Sequence, residues 1–185
     1  YADVFKLNFA VLGEMAWNST GTPLERTWPA LLVREFGAAA APHMQTALAH
    51  TRFDIRSDIV SRMILGDFIT RPFQFWDMYN LTNIDGLQDA MLADLEADAR
   101  QSLTAALKAQ PLVTPVAEAR EMVDVVIQSA ERRLYLATSA RHYVRALAAE
   151  KAGNKAVALT EIELCVAEGR KLYRAATKLG IEFPM

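Results

Sequence analysis

From residue 23 onward, except over residues 67–81, apolar side chains recur every three or four positions, the spacing of one helical face. The first helix should begin at Pro23, because Thr22 supplies a capping hydroxyl and Glu25 stands three residues after it. It should end at Gly37, although Pro29 in its second turn can bend it or delay its start. Its apolar face comprises Leu24, Trp28, Leu31, Leu32 and Phe36.

Four further helices follow from the same spacing. The Gly153-Asn154 reversal is short, so it should make the last two of them antiparallel neighbours. The sequence therefore predicts an all-α fold, an irregular antiparallel bundle of about five helices. The four are expected at Pro42 to Leu65, Ile84 to Ala109, Pro115 to Ala152 and Lys155 to Leu179. The predicted core stripes are Leu87, Met91, Leu95, Ala99, Leu103 and Leu107 in the third helix, and Val157, Ile162, Val166, Leu172 and Ala176 in the last.

Residues 1–22 differ from the rest of the chain. The stretch from Phe5 to Leu12 is rich in aromatic and β-branched side chains with partial alternation, which predicts an extended segment. No second strand pattern follows, so either this lead is irregular or its partner strands are missing. The expected organisation is an extended lead over 1–22 and a helical domain over 23–185. Since the sequence opens at Tyr1 without an initiator methionine, we expect a processed product or a piece of a longer protein.

Composition narrows the functional classes. The 185 residues are 52% hydrophobic, with 20 basic against 22 acidic side chains. There is no basic excess for a phosphate backbone, and no apolar run reaches the ~20 residues that span a bilayer, so neither nucleic acid nor a membrane is an expected partner. We expect a soluble protein, with a cytoplasmic or periplasmic location left open. The single cysteine, Cys165, allows no internal disulfide, and its neighbours Ile162 and Val166 favour a core thiol.

One candidate metal site lies on the predicted second helix. His50, Asp54 and Asp58 follow one another at intervals of four residues, which places neighbouring pairs within reach of one ion but not the two ends together. His43 lies two turns earlier and adds little. A solvated face with ordinary ion pairs is the favoured interpretation, so no metal and no cofactor are expected. The basic residues available for those pairs are Arg52, Arg56 and Arg62.

The other candidates for chemistry are few. No glycine-rich phosphate loop, nucleophile elbow or His-Glu-x-x-His motif is present in the sequence. An aromatic cluster around Pro72 has two interpretations, since flat rings can stack on sugars and can also fill a core or an interface; filling is favoured. The cluster comprises Phe68, Phe73, Phe75, Trp76 and Tyr79.

The segment from Phe9 to Asn18, with its Ala16-Trp17-Asn18 ending, precedes a turn and a helix that carries Trp28 and closes on Phe36-Gly37. This arrangement resembles the passage from the last barrel strand to the C-terminal helical domain in barrel glycoside hydrolases, most closely the alpha-glucuronidases of family 67 and their relatives. The resemblance covers residues 9–37. The later helices are similar to those domains only in general character.

The resemblance implies a C-terminal helical domain that supports a catalytic barrel and an oligomer interface. A (β/α)8 barrel needs ~250 residues, so the catalytic carboxylates would lie outside this chain and no catalytic residue is carried over. Glu14, Trp17 and Asn18 would face the substrate, with Trp17 as a sugar platform; alternatively Trp17 is a core anchor and Glu14 an exposed charge. Expected partners are a carbohydrate, through the parent barrel, and a second copy of the chain. From another class of function, a free-standing helical module that binds a protein fits the same sequence, and a small metal-binding bundle fits it less well.

Overall fold

A computed structural model describes Gly13 and residues 24–50 and 89–177, and these residues are helical apart from short connections. Within them the predicted all-α fold is confirmed, with five α-helices, one 3-10 helix and no strand. Apart from Gly13, the extended lead predicted over 1–22 lies outside the described residues. The α-helices are α1 (Leu24–Phe36), α2 (Ala41–Ala49), α3 (Asp89–Ala109), α4 (Ala117–Lys151) and α5 (Lys155–Thr177), and the 3-10 helix is Gln110–Leu112.

The chain divides into two compact units. One comprises residues 1–51 and 100–130, and the other comprises residues 52–99 and 131–185. The long helices α3 and α4 each cross from one unit to the other, so each unit receives one part of both helices.

The core of the first unit is built by α1 and α2 against parts of α3 and α4. Leu32, Phe36 and Met44 are completely buried, as the spacing of α1 predicted for the first two. Gly37 ends α1 with a positive φ of 87°, and its N–H donates to the carbonyl of Val33 at 2.9 Å. Pro29 lies inside the helix without ending it. A left-handed glycine after the last turn is the commonest way to end a helix, and the prediction of Gly37 as the end of α1 is confirmed.

The second helix is shorter than its apolar pattern predicted. α2 ends at Ala49, and His50 takes φ −90° and ψ 6°, outside the helical region. The prediction of one continuous helix from Pro42 to Leu65 is therefore wrong. Apolar spacing alone does not show where the backbone leaves the helical conformation, and no glycine or proline marks this end.

Most of the buried side chains of α3 are small, with Leu92 as the large exception. Ala99, Ser102, Ala106 and Ala109 follow at intervals of three and four residues, and all four are completely buried. Leu107, predicted to face the core, is 48% exposed. Small residues let neighbouring backbones approach closely. Of the predicted stripe, Ala99 is buried as expected and Leu103 is half-buried against the core, whereas the prediction of Leu107 is wrong.

Three residues, Ala152, Gly153 and Asn154, form the reversal between α4 and α5. Gly153, with φ 75°, donates to the carbonyl of Glu150 at 2.8 Å, and Asn154 donates its N–H to the carbonyl of Ala149 at 2.9 Å. These two bonds are the Schellman arrangement that ends a helix. The Asn154 Oδ1 accepts the N–H of Val157 at 3.3 Å and so caps the start of α5. The predicted tight reversal is confirmed.

The face through which α5 packs on α4 agrees only in part with the predicted one, because Leu172 is half-buried as expected but three other predicted residues are exposed. Val157, Ile162 and Val166, expected in the core, are 44%, 38% and 48% exposed. The face turned to α4 carries half-buried residues one position earlier along the helix, including Glu161 and Cys165, and ends at the buried Ala175. The packed face carries the charged Glu161, so hydrophobic spacing does not identify it.

Candidate functional site

The residues expected to meet a carbohydrate lie outside the part of the chain that the structure describes. These are Glu14, Trp17 and Asn18, and the aromatic cluster around Pro72 is also outside. Their proposed roles stay predictions.

The candidate metal ligands are not placed on one helix. His50 follows the end of α2 and is half-buried, whereas Asp54 and Asp58 lie outside the described residues. Over residues 24–50 and 89–177, no group of three or more histidine, cysteine, aspartate or glutamate side chains is arranged to hold a metal ion. The metal hypothesis assumed one helix that carries His50, Asp54 and Asp58 at intervals of four residues. Because α2 ends at Ala49, His50 is not part of that helix.

The contact between α4 and α5 contains four polar side chains. The Ser139 hydroxyl donates to the carbonyl oxygen of Cys165 at 3.1 Å, and its Oγ lies 3.4 Å from the Cys165 Sγ. Nδ1 of His142 lies 2.7 Å from Oε2 of Glu161. His142 lies three residues after Ser139 on α4, whereas its partner Glu161 lies four residues before Cys165 on α5. The two helices are therefore antiparallel, as predicted. The predicted core thiol is half-buried.

These polar contacts favour a structural role for the helix pair. Ser139 donates to a backbone carbonyl, so its hydroxyl proton does not go to a neighbouring base, as activation of a serine nucleophile requires. His142 and Glu161 bond to each other across the two helices, each about one-sixth exposed. Burial raises the pKa of the nearby Tyr143 hydroxyl, with smaller contributions from the charges of Cys165 and Glu150. Together these contacts fix the register of α5 on α4.

A second polar cluster joins α4 to the start of α3. Asp89 accepts bonds from Nε of Arg141 at 3.2 Å and Nε of Arg145 at 2.8 Å, and Arg141 also pairs with Glu96. The hydrogen bonds from Arg141 and Arg145 lower the pKa of the Asp89 carboxyl below its ordinary value, and the same pairing raises the pKa of Arg141. Every carboxylate in this cluster has an arginine partner, which indicates an ion network that holds helices together.

The largest exposed apolar feature of α5 is a line of four side chains. Their exposed fractions are 62% for Leu159, 38% for Ile162, 48% for Val166 and 51% for Tyr173. With Gly169, these positions follow at intervals of three, four, three and four residues, which places them on one side of the helix. We call Leu159, Ile162, Val166, Gly169 and Tyr173 the α5 stripe. It lies about a quarter turn from the face packed on α4, because each member follows a packed residue by one position.

Charges border the α5 stripe on the side away from α4. Glu163 and Arg170 are both exposed, seven residues apart, and neither forms an ion pair with another described residue. On the far flank of the helix, Leu164 is a further exposed apolar residue, 42% accessible. Lys171 on that flank pairs with Glu168 at 2.5 Å, a hydrogen bond that raises the pKa of the lysine. Ile162 and Val166 were predicted to lie in the core. Their spacing of three and four residues with Leu159 and Tyr173 indicates instead an apolar face of α5 that is separate from the face packed on α4.

No protein-family model matches the chain, and no curated protein or solved structure is significantly similar to it. None of the helices among the described residues is long and apolar enough to cross a membrane.

Proposed function

We propose that this chain is a protein-interaction module that binds the apolar face of a helix through the α5 stripe. The observation that carries the proposal is the exposure of Leu159, Ile162, Val166 and Tyr173 on one side of a helix whose neighbouring face is packed on α4. Contiguous apolar surface of this kind is usually covered by a partner.

The form of the stripe supports a helical partner in particular. Apolar residues at alternating intervals of three and four are the pattern by which one helix packs its side chains between those of another. The polar contacts of Ser139 and His142 hold α5 in place on α4, so the stripe is presented by a helix of fixed orientation. A rigid surface loses little conformational entropy on binding.

Assignment to a carbohydrate-active hydrolase stays a prediction. Glu14, Trp17 and Asn18, on which it depends, lie outside the described residues, and nothing in α1 to α5 favours a sugar as the ligand.

A paired substitution tests the interaction surface. In Ile162→Ser/Val166→Ser, helix propensity hardly changes, so a protein with an uncovered stripe should lose less than about 1 kcal/mol of unfolding free energy in dilute solution. Binding of an anilinonaphthalene sulfonate dye, which reports exposed apolar surface, should fall. The matched control is Val157→Ser/Leu164→Ser, which removes two exposed aliphatic side chains from the other flank and should reduce dye binding less. A loss of about 4 kcal/mol or more would show that Ile162 and Val166 are core residues and would contradict the proposal.

A further inference from the structure

We infer that the partner of the α5 stripe is the α5 stripe of a second copy, packed antiparallel about a two-fold axis near Val166. This inference rests on the proposed function and names its partner. Three features of the stripe favour a second copy: the spacing of its apolar residues, the position of its one glycine and the order of its bordering charges.

The apolar residues are suited to self-pairing. From Leu159 to Tyr173 the stripe extends over about 21 Å of helix, given a rise of ~1.5 Å per residue. Its intervals of three and four match the holes on an identical helix, and Val166 lies midway between the two ends. A two-fold axis at Val166 therefore places Leu159 of each copy beside Tyr173 of the other.

Large and small residues also complement each other about that axis. Ile162 lies four residues before Val166 and Gly169 three residues after it, so antiparallel pairing brings the side chain of one copy over the glycine of the other. Gly169 is half-buried, and a Cβ placed there would meet the Ser139 Oγ of α4 at 3.9 Å, an ordinary contact distance, so this position borders the face packed on α4 and carries no side chain of its own to block a partner. Parallel pairing would instead place glycine beside glycine and leave a gap between the helices.

The bordering charges distinguish the two orientations most clearly. Glu163 lies three residues before Val166 and Arg170 lies four after it. In the antiparallel pair, Glu163 of each copy faces Arg170 of the other, which gives two symmetric ion pairs. In a parallel pair the charged flanks of the two copies lie on opposite sides of the interface, so Glu163 and Arg170 form no pairs with each other across copies. Within one helix, Glu163 and Arg170 are about 10 Å apart along the axis, too far to pair with each other.

The size of the surface indicates a weak dimer. Stable interfaces bury about 1,600 Å² in total, and a single pair of helices in contact over about 21 Å buries less. We therefore expect dimers to form in the range of about 10–100 µM rather than at nanomolar concentration.

A charge-swap cycle followed by sedimentation equilibrium tests the arrangement. Glu163→Arg and Arg170→Glu should each weaken self-association about tenfold, because each places like charges opposite one another twice. An equimolar mixture of the two variants should associate at least as well as the wild type, since every cross-copy pair is then Arg with Glu. The double variant Glu163→Arg/Arg170→Glu should also recover. Glu163→Gln and Arg170→Gln are controls that remove attraction without adding repulsion, and should weaken association less.

Two outcomes would overturn the inference. If the mixture associates no better than either variant alone, Glu163 and Arg170 do not face each other across copies. If the wild type stays monomeric at about 500 µM, well above the expected range, there is no self-pairing of the kind described. In that second case, dye binding that falls in Ile162→Ser/Val166→Ser would support an interaction module with a partner other than a second copy. If the wild type neither self-associates nor binds the dye through Ile162 and Val166, the proposed function is refuted as well.

Discussion

Substitution of Gly37 measures how tightly the first unit is packed where α1 ends. Gly37 has φ +87°, and a Cβ added there would lie 2.7 Å from the Thr114 Cγ2. Gly37→Ala therefore carries two costs, one from the backbone conformation and one from the clash. Gly153 isolates the first cost, because it has φ +75° and a Cβ there would meet nothing within 4 Å.

The expected magnitudes follow from these two environments. Placing alanine in the left-handed region costs about 1–2 kcal/mol, partly offset by about 0.4–1 kcal/mol from a less flexible unfolded chain, so Gly153→Ala should destabilise by about 1 kcal/mol. Gly37→Ala should cost about 1–3 kcal/mol more, the usual penalty of overpacking. Thr114→Ser deletes the clashing methyl, after which the remaining Thr114 neighbours stand at 3.9 and 4.0 Å.

Urea unfolding followed by far-ultraviolet circular dichroism provides the assay, with the slope of free energy against urea compared among variants. In the Thr114→Ser background, Gly37→Ala should cost no more than Gly153→Ala does in the wild type. If the excess cost of Gly37→Ala is absent, or if it survives in the Thr114→Ser background, the clash does not arise from the Cγ2 and the reasoning is refuted.

Three further predictions concern other contacts. Ser102→Ala should destabilise the protein by about 1–3 kcal/mol, because the buried Ser102 hydroxyl donates to the Ala47 carbonyl at 2.9 Å. The control Gln101→Ala, at an exposed neighbouring residue, should change stability little, and equal effects of the two substitutions would contradict the prediction. The pKa of Asp89 is lowered in the folded state, so its pairing stabilises the protein at pH values above the ordinary pKa of 3.8, and this stabilisation is lost as the pH falls. Thermal unfolding should therefore show the wild type more stable than Asp89→Asn at pH 7, with a difference in stability that closes below pH 3.8. A difference that stays constant with pH would refute the prediction. The chain alone should not hydrolyse aryl glycosides, because no paired catalytic carboxylates are expected in it; turnover that Glu14→Gln abolishes would contradict this.

The sequence predicted helix ends well where they have a chemical cause. Gly37 and Gly153 adopt positive φ, and Asn154 caps the next helix. Glycine and asparagine have strong preferences for these positions, so the sequence indicates them. The end of α2 at Ala49 has no such residue, and the predicted helix ran past it. Local backbone preferences are visible in sequence, whereas a helix end without such a residue is not.

Helix faces were harder to assign than helix positions. In α3 the predicted Ala99 is buried, but so are Ser102, Ala106 and Ala109, which a search for large aliphatic residues passes over. In α5, apolar side chains are exposed on two flanks while the packed face carries Glu161 and Cys165. Burial depends on which neighbour a face meets, and a single sequence does not state it. The polar contacts of Ser139 and His142 with α5 were likewise not predicted, since they join residues far apart in the chain.

Disulfide trapping at Val166 tests most directly whether two α5 helices pair antiparallel about that residue. The test uses Val166→Cys in a Cys165→Ser background, so that the introduced thiol is the only one in the chain. Antiparallel pairing brings the introduced thiols of the two copies together near the axis, and mild oxidation in a glutathione buffer should give a covalent dimer within the geometric limits of a disulfide. The same experiment with Leu164→Cys, on the other flank, should give little. Equal trapping at both positions, or none with the Val166→Cys variant, would contradict the pairing.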